Sequence, residues 1–406
     1  MKRLERIEDL AVFSGAPAFE QPLHVGRPNI GNRERLLGRI GGLLDRRWLS
    51  NNGPLVRELE AKLGEFLGVK HCICVCNATV GLEIAINALG LKGRVIVPSF
   101  TFIATAHALR WQGIEPVFCD IDPATHNLDP AAVERRITPD TTGIIGVHVW
   151  GRACPVEDLE AIARRRDLVV LYDAAHAFAC SRRGRMIGGF GRAEVFSFHA
   201  TKFFNTFEGG AITTNDDELA ARLRLMRNFG FAGYDDVVYL GTNGKMTEVC
   251  AAMGLTNLEE LSSVIETNGG HYRAYRDALA TLPGVEMVEY DERDRGNFQY
   301  VIIEIGEKFP LTRDELMTVL HADGVLARRY FHPGCHAMQP YALEMPDAAA
   351  SLPHTDALCR RVLSLPTGSA VSAENVAAVC AIIRLAAQHG EEVRRQLEDG
   401  GEGSHG

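Results

Sequence analysis

Along residues 69–214, short uninterrupted apolar runs alternate with amphipathic stretches. The runs read CICVC (72–76), RVIVP (94–98), PVFCDI (116–121), GIIGVHV (143–149), LVVLYDA (168–174), EVFSF (194–198) and GAITT (210–214). A strand with one wet face alternates apolar and polar residues, whereas a continuous apolar run belongs to a strand covered on both faces. Between the runs lie helical patterns such as PVEDLEAIARRR, where Pro155 suits a first helical turn and Leu159 and Ile162 supply a buried stripe. The pattern predicts an α/β fold with a mainly parallel seven-stranded sheet flanked by helices. Ligands of such sheets gather outside the carboxyl ends of the strands, so the chemistry is expected there.

Beyond the sheet, NDDELAARLRLM predicts a helix capped by Asn215, and another is expected over about 246–261. After residue 268 the texture changes: QYVIIEI, TRDELMTVLHADG and VLARRYFHPG read as a smaller α+β domain. The expected organisation is an N-terminal arm (1–27), a large domain (28–268), a small C-terminal domain (269–395) and a disordered tail (396–406). The tail, EDGGEGSHG at its end, lacks apolar periodicity.

Two strand ends carry unusual chemistry. Asp173 closes the most apolar run, where an unpartnered carboxylate is costly. Lys202, 29 residues later in FSFHATKFFNTFEGGAI, sits among phenylalanines, small residues and glycines with no run of charge around it. A lone lysine beside a buried acid meets two needs of pyridoxal 5'-phosphate: an amine for a Schiff base with its aldehyde, and an acid for its pyridinium nitrogen. Burial also favours the neutral, nucleophilic amine. The third need is a phosphate cradle. Ala78 and Thr79 in NATVGLEIAINALG open a helix directly after a strand, where free backbone N–H groups and the helix dipole attract an anion.

Composition narrows the partners. The 406 residues are 46% hydrophobic with a formal net charge of −9, which disfavours an electrostatic grip on nucleic acid or an anionic membrane. The chain has no uncharged apolar run of about 18 residues and no secretory leader pattern, so a cytoplasmic protein is expected. Its ten cysteines include no C-x-x-C pair, which fits reduced thiols. Cys72, Cys74 and Cys76 lie along one strand face and do not converge as metal ligands must, so no metal is expected.

The ordered set NATVGLEIAINALGL, VIVPSFTFIATAHAL, DAAHAFAC and SFHATKFFNTFEGGAI resembles the nucleotide-sugar aminotransferases, the DegT/DnrJ/StrS group of aspartate-aminotransferase-like enzymes (PLP-dependent transferase fold type I). The resemblance implies Lys202 as the Schiff-base lysine, Asp173 as the acid on the pyridine nitrogen and Phe102 stacked on the ring. It implies phosphate contacts from Ala78, Thr79 and Ser197. Relatives read SGT where this chain has Asn77, Ala78 and Thr79, so a hydroxyl contact is absent at the first position and the backbone is the expected donor. His176, often glutamine in relatives, is implied beside the ring hydroxyl, and Asn243, with Lys245 as the second candidate, is implied to reach the cofactor phosphate of a dimer partner.

Around the open side of the pocket, Arg328, Tyr330 and His332 are implied as substrate contacts. HATK with NTFEGG is more like the enzymes that aminate carbon 4 of dTDP-4-keto-6-deoxyglucose, whereas 3-aminating relatives carry a YPGK-like sequence. The implied reaction takes the amine from L-glutamate, with pyridoxamine phosphate as the carrier form, and passes it to a nucleotide-linked keto-sugar in a homodimer that shares its active sites. A 3-aminotransferase, a sister enzyme for another nucleotide, and a non-catalytic protein keeping the fold remain the alternatives.

Overall fold

The structure is a computed structural model and describes residues 4–402. All seven expected strands form: β1 His71–Val75, β2 Arg94–Pro98, β3 Glu115–Cys119, β4 Thr141–Val147, β5 Val169–Asp173, β6 Ala193–Ser197 and β7 Gly210–Thr214. They order as β1-β7-β6-β5-β4-β2-β3 in one sheet. Every neighbouring pair is parallel except those of β7, which runs antiparallel to both β6 and β1. The start of β7 therefore lies at the same sheet edge as the ends of β1, β5 and β6.

Helices cover both faces. They include α1 Ala78–Ala88, α2 Ala104–Arg110, α3 Val156–Arg166, α4 Asp217–Met226 and α5 Glu248–Glu259. Separate apolar clusters fill the space on the two sides, one around Leu159, Tyr172 and Phe196 and the other around Leu82, Val97 and Leu171. In α3, Glu157 and Asp158 stand in the first turn and Arg164, Arg165 and Arg166 in the last, which complements the helix dipole at both ends. Helix α1 lies flat on the sheet because Gly81 is a glycine; a Cβ there would stand 3.0 Å from Val195 Cγ1 and 3.2 Å from Val75 Cγ2. The cap of α4 is Asp216, whose carboxylate accepts the Leu219 N–H; the expected Asn215 instead accepts the Lys70 N–H.

Helix α6, Leu261–Leu279, runs across the expected domain boundary at residue 268 and carries the chain into the small domain. There β8 Val285–Met287, β9 Val301–Ile305 and β10 Val362–Leu365 form an antiparallel sheet, packed with α7 Arg313–Ala322 and α8 Ala373–Gln388. The N-terminal arm belongs to this packing: Leu10, Ala18, Phe19 and Leu23 are buried in the small domain's core, and Leu23–His24 pairs in parallel with Val325–Leu326. The expected disordered tail is corrected over its described part, because α9 spans Gly390–Glu402. Val393 and Leu397, one helical turn apart, pack on the small-domain core and hold that helix in place. Residues 403–406 lie outside the described residues. A mixed cluster of Phe100, Trp150, Val288, Tyr300, Ile302 and Phe331 joins the two domains beside the sheet's carboxyl edge. No helix among the described residues is long and apolar enough to cross a membrane.

Candidate active site

A cleft of about 590 Å³ opens where the carboxyl edge of the sheet meets the small domain. Its floor comes from three chain turns. After β1, Asn77 adopts an extended backbone and its side chain accepts the Val80 N–H at 2.8 Å, while the N–H groups of Ala78 and Thr79 at the start of α1 have no acceptor among the described residues. After β5 comes Asp173, and after β6 come Ser197, His199 and Lys202; all of these line the cleft.

The first residue of β7, Gly210, presses against this edge. A Cβ at Gly210 would stand 2.6 Å from the Phe196 carbonyl oxygen and 2.9 Å from the Ala78 nitrogen. Gly210 also pairs in register with Ser197. Two free N–H groups, a serine hydroxyl and a glycine that leaves them uncovered make an anion seat.

Asp173 is buried and tightly held. One carboxylate oxygen accepts the Ala175 N–H at 3.0 Å and the other accepts the Thr105 hydroxyl at 2.8 Å. Burial raises this carboxyl above the ordinary aspartate range, against the lowering pull of those two donors and of Lys202 and His148. A carboxylate in that state gains from a cationic partner, as a protonated pyridine would be. Burial also lowers the Lys202 amine to about 8, with Asp173 opposing the shift. Lys202 Nζ donates to the Tyr300 hydroxyl at 3.0 Å.

His176 is fully shaped by its surroundings. The Trp150 N–H donates to Nδ1 at 3.2 Å, which leaves Nε2 as the protonated nitrogen of a neutral ring. Burial, and secondarily Lys202, hold its pKa well below the usual histidine value. The ring stacks on Phe331 at 5.5 Å with only 2° between the planes, and lies 4.6 Å from the Tyr300 ring. A neutral imidazole N–H in the cleft can donate to an oxygen on a bound ring. Phe102, half-exposed, lines the same cleft and is available for stacking. The anion seat, the buried acid and the amine match the phosphate, pyridine nitrogen and aldehyde of pyridoxal 5'-phosphate, so the residues present fit that cofactor.

The remaining expected site residues divide. Arg328 and Tyr330 line the cleft rim, with the guanidinium 5.6 Å from the Tyr330 ring centre. The Arg328 backbone exchanges hydrogen bonds with Ser364 of β10, which fixes its place on the rim. His332 is not among the residues lining the cleft: its Nδ1 faces the Cys359 carbonyl at 3.3 Å and Arg313 at 3.5 Å, and burial with Arg313 and Arg329 lowers its pKa. Asn243 is also outside this cleft, exposed on the strand-like segment that bridges Asn228.

Sequence reasoning missed Tyr300 and Thr105. Tyr300 precedes the apolar strand β9, and a tyrosine at the mouth of such a run, with one polar tip to satisfy, was the available signal. Thr105 lies on α2 with nothing in its local sequence to pair it with Asp173. His199 and Glu208, for which no role was expected, face each other at 3.5 Å on the cleft wall, and His199 also meets the Thr201 hydroxyl at 2.8 Å.

Known proteins resemble this chain along most of its length. The chain is 37% identical over 366 residues to the dTDP-4-amino-4,6-dideoxy-D-glucose transaminase of Shigella dysenteriae, covering 90% of this chain and 99% of that protein. It is 37% identical over 325 residues to the GDP-perosamine synthase of Caulobacter vibrioides, covering 79% and 87%. A crystal structure of DesI in the presence of its TDP-sugar product superposes with a TM-score of 0.91 at 48% identity, covering 97% of this chain and all of that one. Residues 32–384 match the DegT/DnrJ/EryC1/StrS aminotransferase family. With the lysine, the acid and the anion seat gathered at one sheet edge, the chain belongs to the DegT/DnrJ/EryC1/StrS aminotransferase family.

Proposed function

We propose that this aminotransferase uses pyridoxal 5'-phosphate to move the amine of L-glutamate onto carbon 4 of dTDP-4-keto-6-deoxyglucose, giving dTDP-4-amino-4,6-dideoxyglucose. The observation that carries the reading is the Lys202 amine, lowered to about 8 and facing the same cleft as the buried Asp173. The cofactor, when bound, supplies an aldehyde and an electron-withdrawing ring.

The protein's own groups do the rest. Ala78 N–H, Thr79 N–H and Ser197 hold the phosphate, Asp173 keeps the ring nitrogen protonated, and the His176 Nε2–H orients the ring through its hydroxyl. Lys202 holds and moves the proton at the reacting carbon. At neutral pH the lowered amine exchanges its proton readily, and positioned proton transfer of this kind is worth ~10²- to 10⁴-fold. Family members that dehydrate sugars carry histidine in place of this lysine, so Lys202 favours amine transfer.

Arg328 at the rim suits the diphosphate of a nucleotide sugar, since guanidinium groups pair well with phosphate oxygens. The HATK and NTFEGG motifs and the 37% identity to a 4-amino sugar transaminase support carbon 4. The family resemblance implies a homodimer in which each copy completes the other's phosphate site, and exposed Asn243 is free to take that part. The equal identity to a GDP-perosamine synthase favours a second reading, a GDP-linked 4-keto sugar as acceptor.

The test is glutamate-dependent amination of dTDP- and GDP-linked 4-keto- and 3-keto-6-deoxyhexoses, with products read by mass and proton NMR. Amination of the dTDP sugar at carbon 4 is expected. A product aminated at carbon 3, or a preference for the GDP sugar, would replace this assignment with a sister activity.

A further inference from the structure

The small domain sends one polar atom to the reactive lysine. Tyr300, the residue before β9, is 6% exposed, and its hydroxyl oxygen lies 3.0 Å from Lys202 Nζ. Its position is fixed on several sides. The Tyr290 hydroxyl donates to the Tyr300 carbonyl at 2.8 Å and also lies 3.0 Å from the Trp150 carbonyl of the large domain. The Tyr300 ring meets His176 at 4.6 Å and Tyr330 at 6.2 Å. Among the described residues no carboxylate stands within ion-pairing distance of Nζ, so the phenol is the hydrogen-bonding partner that the free amine has.

A phenol suits that place better than an acid would. A carboxylate would pin the amine as ammonium, while a neutral hydroxyl accepts from an ammonium and donates to a neutral amine. Burial keeps the Tyr300 hydroxyl protonated, far above any working pH. We infer that Tyr300 is a positioning residue for Lys202: it holds the free amine at the reacting edge in either protonation state, and it ties that amine's basicity to the seating of the small domain. The inference rests on the reading of Lys202 as the reacting lysine.

Tyr300→Phe removes the hydroxyl and keeps the ring, including its 5.6 Å approach to Nζ. A hydrogen bond to a charged group favours the ammonium, so its loss lowers the amine's pKa further, by about one unit or roughly tenfold in the proton equilibrium. The measurement is the pH dependence of Lys202 acylation by acetic anhydride in the full-length, cofactor-free chain, read by peptide mass spectrometry. The expected midpoint lies near 8 in the wild type and about one unit lower in Tyr300→Phe. In the loaded enzyme the same variant is expected to lose roughly tenfold or more in kcat, with KM for both substrates within about twofold, because the loss falls on proton transfer rather than on substrate binding.

An unchanged acylation midpoint would overturn the inference, whatever happens to kcat. That midpoint needs no turnover, so it stands or falls apart from the proposed sugar chemistry. Failure to aminate any sugar would sink the proposed function and leave the midpoint readable.

Discussion

The two walls of the cleft are built differently. The floor is made by a sheet edge, where Ala78, Thr79, Asp173, Ser197 and Lys202 follow directly from the ends of β1, β5 and β6. The opposite wall comes from the small domain, where Tyr300, Arg328, Tyr330 and Phe331 arrive from two separate segments and reach the cleft only through packing between domains. Sheet topology places the floor residues whatever the small domain does. The wall residues depend on the joint between the domains. In the proposed function the floor therefore holds the groups assigned to chemistry, and the wall those assigned to orientation and selection.

Substitutions can break this contrast, beginning with the floor. Lys202→Ala should abolish turnover, a loss of at least ~10²- to 10⁴-fold. It should also remove the borohydride-sensitive visible band of the purified protein. A coloured, active Lys202→Ala protein would end the assignment of this lysine. Asp173→Asn keeps shape and removes charge, and it should cost ~10²- to 10³-fold in kcat as electrostatic support for the ring is lost. Steady-state assays at saturating sugar would read this, and a change confined to KM would move Asp173 from chemistry to binding.

The same lysine sharpens the contrast through stability. Its folded-state value of about 8 lies below the ordinary 10.5, so below pH 8 the native state carries a buried ammonium at a cost. Between about 8 and 10.5 the unfolded chain still binds the proton that the native state has released, and the cost is relieved as pH rises. Lys202→Met should therefore raise the unfolding midpoint of the cofactor-free chain at pH 7, with the gap closing as pH climbs from 8 towards 10. Thermal scans across that range would check it, and a gap independent of pH would mean that the amine is not held in a dry site.

The wall should give the smallest effects. Arg328→Ala is expected to raise KM for the nucleotide sugar roughly tenfold with kcat little changed, as for loss of one charge-assisted contact. His332→Ala, turned away from the cleft, should leave KM within about twofold. Paired KM measurements on the two variants test the placement directly: equal effects would contradict the division of the rim seen here.

The sequence legibility of the molecule follows the same line. The strands of the sheet could be read because each is a continuous buried run, and residues at strand ends inherit their place from that local pattern. Asp173 and Lys202 were legible for this reason. Tyr300, Thr105 and the contacts of His332 were not, since each depends on residues far apart in the chain. After Val325–Leu326 the segment carrying Arg328 to His332 leaves regular structure, and no period tells which side chains face the cleft. The tail was misread because glycines at its end mask the one-turn spacing of Val393 and Leu397 that seats α9.

The close approach of Gly210 to the first turn of α1 has a consequence for how this site tolerates change. The proposed anion seat is lined by the Ala78 and Thr79 backbone, and the Asn77 side chain is already engaged in capping α1 through the Val80 N–H. Part of the shape of that seat is set from β7, by a residue with no side chain at all. A single methyl group at position 210 would press on the Phe196 carbonyl oxygen and the Ala78 nitrogen. Any side chain at this position would thus have to shift the backbone that lines the seat, whichever polar residues surround it.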